Sequence, residues 1–215
     1  MIEDAYWRTR LPFDRKRERL WRALWRFYFS KYITPSDCVL ELGCGYAHFI
    51  NNVQARRRIA VDNWSGFLNY LAAGIEGHVG DAASLSFLGD SSVDFVFASN
   101  LFEHLTKDNF ALVLNQLRPK LTNKGKLTIL QPNYRYAYKE YFDDYTHVSV
   151  YSHESLCDFL AANGYSVVQC VPRFMPLTIK NHQRIVSEQL IGLYLSLPVR
   201  PFGKQMLVMA RPCQP

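Results

Sequence analysis

Glu41, Gly43 and Gly45 occupy alternate positions at the end of a short apolar run that starts at Cys38-Val39-Leu40. Two glycines at that spacing let the main chain turn tightly and approach a ligand, because they tolerate positive φ and carry no Cβ to clash. Phe49, Ile50 and Val53 follow at helical spacing, so the stretch reads as strand, glycine turn and helix. The helix N-terminus would offer unpaired N–H groups, and the whole suits a nucleotide-like ligand. Further polar residues close later apolar runs. Asp62 follows Ala60-Val61, where it is placed to accept hydrogen bonds from ribose hydroxyls. Asp81, in Gly80-Asp81-Ala82, can bind an adenine amino group beside a small residue. Asn100 and Leu101 follow the strongly apolar Val93–Ala98 and face the remainder of the ligand. Two histidines can take up a proton: His104, just beyond Asn100, and His147, in Asp143-Asp144-Tyr145-Thr146-His147.

A dinucleotide fingerprint requires a third glycine where this chain has His48. Glu41-x-Gly43-x-Gly45 instead resembles the first motif of the class I S-adenosylmethionine-dependent methyltransferases. A third glycine often follows there at the position held here by Ala47, small enough to sit at a helix start. Ala60-Val61-Asp62, Gly80-Asp81-Ala82, Ser92-Val93-Asp94-Phe95-Val96, Ser99-Asn100-Leu101-Phe102-Glu103-His104-Leu105 and Gly125-Lys126-Leu127 are similar to that family in the same order. The resemblance covers about residues 36–171. It implies a doubly wound, Rossmann-like α/β fold with a seven-stranded sheet, mostly parallel with its last strand antiparallel. It also implies S-adenosylmethionine as methyl donor, S-adenosylhomocysteine as product, and a cofactor held by Glu41, Gly43, Gly45, Asp62, Asp81, Ala82, Asn100 and Leu101.

Transfer to a hydroxyl would need a base, and His104 and His147 are the candidates. Asn100-Leu101-Phe102-Glu103 is not the Asn-Pro-Pro-aromatic motif of enzymes that methylate exocyclic amines or glutamine, and no Pro-Cys nucleophile stands there. Asp143, Asp144 and Asn133 do not match a catechol-type metal site, so no metal is expected.

The elements that must position these residues alternate. Strands are expected at 38–42, 58–61, 77–80, 93–98, 125–131, 165–171 and 205–210. Helices are expected after the glycine turn, over 65–73 before Gly74, around Phe110–Leu117, and from Ser152 to Asn163-Gly164. That alternation alone gives a doubly wound sheet with a parallel core. Residues 15–33 read as a basic amphipathic helix, with Leu20, Leu24 and Phe27 among Trp21, Trp25 and Tyr28. Upstream, Tyr6, Trp7 and Arg10 could form a lid. Residues 172–204 form an insertion with an apolar helical stretch (Ile185, Val186, Leu190, Ile191, Tyr194, Leu195), either a substrate cover or a contact for a second chain, as in a homodimer.

At 215 residues the chain reads as a single methyltransferase domain. Its five cysteines include no Cys-x-x-Cys pair, which argues against a disulfide framework or a zinc site and for a reducing cytoplasm. The net charge of +6 lies almost wholly in residues 1–31, with nine Lys/Arg against four acids. The near-neutral body makes nucleic acid an improbable partner and RNA methylation an alternative only. The N-terminal helix could instead rest on a flank of the domain or contact the anionic inner face of a membrane. The expectation is methyl transfer, by O-methylation, to a small-molecule or glycan acceptor; a catalytically silent methyltransferase fold acting as a binding subunit is the alternative from another class.

Overall fold

The computed structural model describes residues 12–176 and 187–213. Seven strands form one sheet: β1 (Cys38–Leu42), β2 (Arg57–Asp62), β3 (Glu76–Val79), β4 (Val93–Ser99), β5 (Leu121–Pro132), β6 (Tyr165–Met175) and β7 (Gln205–Pro212). Their order is β3-β2-β1-β4-β5-β7-β6. All pairs are parallel except those of β7, which runs antiparallel to β5 and to β6. The chain therefore reverses its direction across the sheet between β1 and β4. In open α/β sheets such a switch point is where the carboxyl ends of the strands leave a crevice.

Alternate residues along the central strands serve two separate cores. Leu40, Leu42, Ile59, Val61, Val96, Ala98, Leu127 and Ile129 pack on one face with Phe110, Leu114, Leu156 and Leu160. These last four come from helices α2 (Lys107–Leu117) and α4 (His153–Ala162); a single turn, α3 (Tyr134–Ala137), lies between them in the chain. Val39, Ala60, Phe95, Phe97, Leu207 and Met209 face the other way, toward Leu24, Phe29 and Phe49. The strands are buried on both faces, which explains their almost continuous apolar character. α4 starts with a capping box in which Ser152 and Ser155 satisfy one another's main-chain N–H groups.

The second face departs from expectation. No α-helix follows the glycine turn: residues 43–56 form turns and one 3₁₀ turn, Ile50–Asn52. The Asn52 side chain donates to the His48 carbonyl at 2.8 Å, and Ala47 has φ +56°. Both divert the main chain from helical geometry. The 65–73 segment is likewise 3₁₀, at Ser65–Tyr70, ahead of Gly74 at φ +78°. The space is filled by helix α1 (Arg15–Phe27), capped by Asp14 and shorter than the expected 15–33. Trp21 sets its ring edge-on to Phe49 and Phe97, which stack with centroids 4.0 Å apart. α1 is thus bedded on the domain through its aromatic face.

The insertion begins later than expected, because β6 continues to Met175. Its described part carries helix α5 (Glu188–Ser196), which packs on α1. Arg22 pairs with Glu188 at 3.3 Å, and a Cβ at Gly192 would come within 2.9 Å of the Phe27 ring. Ile185 and Val186, the proposed lid residues Tyr6, Trp7 and Arg10, and His182 lie outside the described residues. Among the described residues no helix is long and apolar enough to cross a membrane.

Candidate active site

The glycine turn is built by main-chain strain and carboxylate bracing. Gly43, Gly45 and Ala47 all have positive φ, at +65°, +53° and +56°. A Cβ on Gly43 would also approach Leu101 Cδ1 to 3.0 Å, so this glycine is required by conformation and by contact. Glu41, buried at the end of β1, accepts the Ile50 N–H through Oε2 at 3.0 Å. Burial first, and the neighbouring Asp62 charge second, hold its carboxyl well above the usual carboxylate range. Asp62 accepts the Gly45 N–H at 2.8 Å and the Trp64 N–H at 2.9 Å. The N–H groups that a helix start would have offered are therefore partly engaged by the protein's own acids.

The remaining cofactor candidates line the same sheet edge. The main chain before Asp81 is tied to β2, Gly80 N–H to Asp62 O at 2.9 Å. Asp81 is exposed and turns the chain by accepting the Ala83 N–H, next to half-buried Ala82. Asn100 projects from the end of β4 with φ +49°. Its Oδ1 accepts from Gln205 Nε2 at 2.9 Å, a partner on β7 that sequence spacing did not reveal. Segments 41–48, 62–64, 79–83 and 99–104 contain no lysine or arginine. Arg17 of α1 does reach the turn, its charge acting on Tyr46 and His48.

The two histidines, 43 positions apart, meet. Their ring centroids are 4.8 Å apart. His104 Nδ1 lies 3.2 Å from the Thr146 carbonyl and 3.0 Å from Thr146 Oγ1, and His147 Nδ1 lies 2.6 Å from the Tyr141 carbonyl. A carbonyl can only accept, so Nδ1 of each ring carries the proton and Nε2 is its basic nitrogen. Burial, reinforced by His147, lowers the His104 pKa. Val148 and Ser149 donate their N–H groups to the Glu103 carbonyl, and Ser149 Oγ donates to the Leu105 carbonyl. These bonds stitch the loop after β5 to the segment after β4.

Glu103 was legible only as the neighbour of His104. Its side chain is fully buried, and among the described residues neither carboxylate oxygen has a hydrogen-bond partner. Burial and nearby Asp144 push its carboxyl up to about 8. The other histidines lie elsewhere. His78 stacks on Phe87, His153 approaches Asn133 Nδ2, and His48 lines a cavity of about 210 Å³ with Phe13, Arg22, Tyr46 and Tyr70. That cavity shares only Tyr46 and His48 with the glycine turn, and it contains none of Asp62, Asp81 or Asn100.

The 3-2-1-4-5-7-6 sheet, with its antiparallel seventh strand and a glycine turn at the switch point, defines the class I methyltransferase fold, a class whose methyl donor is S-adenosylmethionine. The family model described as a methyltransferase domain matches residues 13–170, and the chain belongs to that family of enzymes. Among curated protein sequences none matches. A SAM-dependent methyltransferase from Archaeoglobus fulgidus superposes with a TM-score of 0.69 at 21% identity, over 97% of this chain and 98% of that one. The PH0226 protein of Pyrococcus horikoshii gives 0.67 at 16% identity over 97% and 98%. A geranyl diphosphate C-methyltransferase from Streptomyces coelicolor, in complex with Mg²⁺, geranyl diphosphate and S-adenosylhomocysteine, gives 0.60 at 11% identity over 86% and 75%.

Proposed function

We propose that this enzyme transfers the methyl group of S-adenosylmethionine to a hydroxyl of a small-molecule or sugar acceptor. The observation that carries the reading is the pair of carboxylates at adjacent strand ends, Asp62 braced on the Gly45 N–H and Asp81 just beyond β3, beside a glycine turn held at positive φ. A nucleoside bearing a sulfonium and an ammonium group finds carboxylates. When bound, the donor supplies a strongly electrophilic methyl group, so the protein's task is alignment and exclusion of water. Asp62, oriented by two main-chain N–H groups, retains acceptor capacity for ribose hydroxyls. Asp81 and Ala82 serve the adenine, and Asn100 and Leu101 the methionine part or the adenine ring.

His104 and His147 form the acceptor end in this proposal, with Nε2 of each ring as the atom that can draw on an acceptor's hydroxyl. The outward arginines of α1 could add electrostatic attraction to an anionic surface, but Trp21 is committed to the core. Liposome binding weakened by Arg22→Glu with Arg26→Glu would support that contact, and unchanged binding would remove it. Calorimetric titration with S-adenosylmethionine and S-adenosylhomocysteine tests the central reading. Micromolar binding, lost in Asp62→Ala, is expected. Absence of binding to folded protein would favour a silent fold acting as a binding subunit.

A further inference from the structure

We propose that Glu103, His104 and His147 together bind a divalent transition-metal ion. Each residue can offer one ligand atom, and these atoms lie within 4.8 Å of one another. Donors on one metal sit about 3–3.5 Å apart given metal–ligand bonds near 2.1 Å, so modest side-chain rotation closes the set.

The argument starts from Glu103. A fully buried carboxyl whose two oxygens lack hydrogen-bond partners is rare in folded proteins and costly to keep. If ionised, it has only its own main-chain N–H to favour the charge; if protonated, its O–H lacks an acceptor among the described residues. A cation bound to the carboxylate removes both difficulties. The imidazoles supply the second, independent observation. Each presents Nδ1–H to a main-chain carbonyl, which fixes the tautomer with its lone pair on Nε2. That outer hydrogen bond is what metal-ligating histidines characteristically make. Thr146 Oγ1 further links His104 to Asp144, donating to Asp144 Oδ1 at 2.6 Å, so a second buried carboxylate backs the site. The loop is already fastened over Glu103, and little ordering is left for the metal to impose.

Two imidazoles and one carboxylate suit zinc, manganese, iron, cobalt or nickel, and they leave coordination positions open. No local spacing announces this set: His147 lies 43 residues beyond His104, and Asp143, Asp144 and Asn133 do not match a catechol-type metal site. The mechanistic consequence rests on the reading under Proposed function. An acceptor hydroxyl on an open position would lose its proton to solvent more readily. Its oxygen would then form the C–O bond as the methyl–sulfur bond breaks, the electron pair remaining on sulfur. In that arrangement the histidines hold the metal and do not themselves take the proton.

Metal binding is measurable without catalysis. The full chain, stripped with EDTA, is titrated with Co²⁺ and followed by visible absorption and calorimetry, with Zn²⁺ as competitor. One equivalent of Co²⁺ per chain, displaced by Zn²⁺ and weakened at least tenfold in His147→Ala and in Glu103→Gln, is the expected result. His147 is only half-buried, so its variant is the one expected to fold; unchanged circular dichroism and unchanged S-adenosylhomocysteine binding in that variant verify it. No Co²⁺ uptake by the folded wild-type chain overturns the proposal, as does uptake that His147→Ala leaves intact. Co²⁺ binding without S-adenosylhomocysteine binding would sustain the metal site while removing the methyl-transfer reading.

Discussion

The carboxylate of Asp62 accepts the Gly45 N–H at 2.8 Å, joining the end of β2 to the second glycine of the turn after β1. Its other oxygen takes the Trp64 N–H at 2.9 Å. The group that should meet the ribose is therefore aimed by main chain from two elements, and it shapes the turn that should approach the rest of the cofactor. In the proposed cofactor site, one residue thus links the two halves.

Asp62→Ala removes both bonds and the acceptor for ligand hydroxyls. Hydrogen bonds to charged groups contribute about 1.5–3 kcal/mol each, so the variant should bind S-adenosylhomocysteine at least ten times more weakly and unfold at lower urea concentration. Asp62→Asn retains one acceptor oxygen and should fall between the two. Calorimetry and urea titration, performed together, check this; equal binding by all three proteins would remove Asp62 from the cofactor site.

Gln205 should act as a positioning residue for Asn100. Its buried amide donates from β7 to Asn100 Oδ1 at 2.9 Å, fixing the orientation of a side chain held at positive φ. Gln205→Met keeps the volume and deletes one neutral hydrogen bond, about 1 kcal/mol, which corresponds to roughly fivefold in affinity. A three- to tenfold rise in the S-adenosylhomocysteine Kd is expected, together with a loss of about 1 kcal/mol of folding stability. Restoration in Gln205→Glu is not expected at neutral pH, because a carboxylate cannot donate to Oδ1.

Residues 36–171 were the legible part of this chain, for a physical reason. Parallel strands buried on both faces leave long apolar runs, and the residues that end them, Glu41, Asp62, Asp81 and Asn100, stand out against that background. The stretch after the glycine turn (Phe49, Ile50, Val53) and residues 65–73 are not α-helical; their helical apolar spacing serves contacts made with α1 and with an aromatic cluster. Periodicity reports which residues are buried, not which hydrogen bonds bury them. The meeting of His104 with His147, and Asn100 with Gln205, depends on how the sheet brings distant strand ends together, and neither spacing carries a local signal.

Ala47 gives a test of the glycine turn itself. Alanine at φ +56° costs about 1–2 kcal/mol relative to an unstrained position. Replacing it with glycine relieves that strain, but loses about 0.8 kcal/mol of methyl burial and about 0.4–1 kcal/mol through the more flexible unfolded chain. These terms nearly cancel. Ala47→Gly should lie within about 0.5 kcal/mol of wild type by urea denaturation, whereas the strand substitution Ala60→Gly, with no strain to relieve, should cost more than 1 kcal/mol. A comparable loss at both positions would show that Ala47 is not strained.

His48 should make the protein sensitive to mild acid. Burial first and the Arg17 charge second push its pKa down to about 4, and its buried Nε2 has no hydrogen-bond partner among the described residues. In the unfolded chain it titrates near 6.5. Between those two values the unfolded state binds the extra proton, so stability rises with pH across that window and falls as pH drops from about 6.5 toward 4. Below the folded pKa the penalty is fully developed, and above the unfolded pKa it is absent. His48→Asn should be closer to wild type at pH 5 than at pH 7.5, because it loses the ring's packing at both but escapes the proton linkage at the lower. Urea unfolding of both proteins at the two pH values measures the difference. A gap between them that stays constant with pH would mean that His48 titrates alike in the folded and unfolded chains.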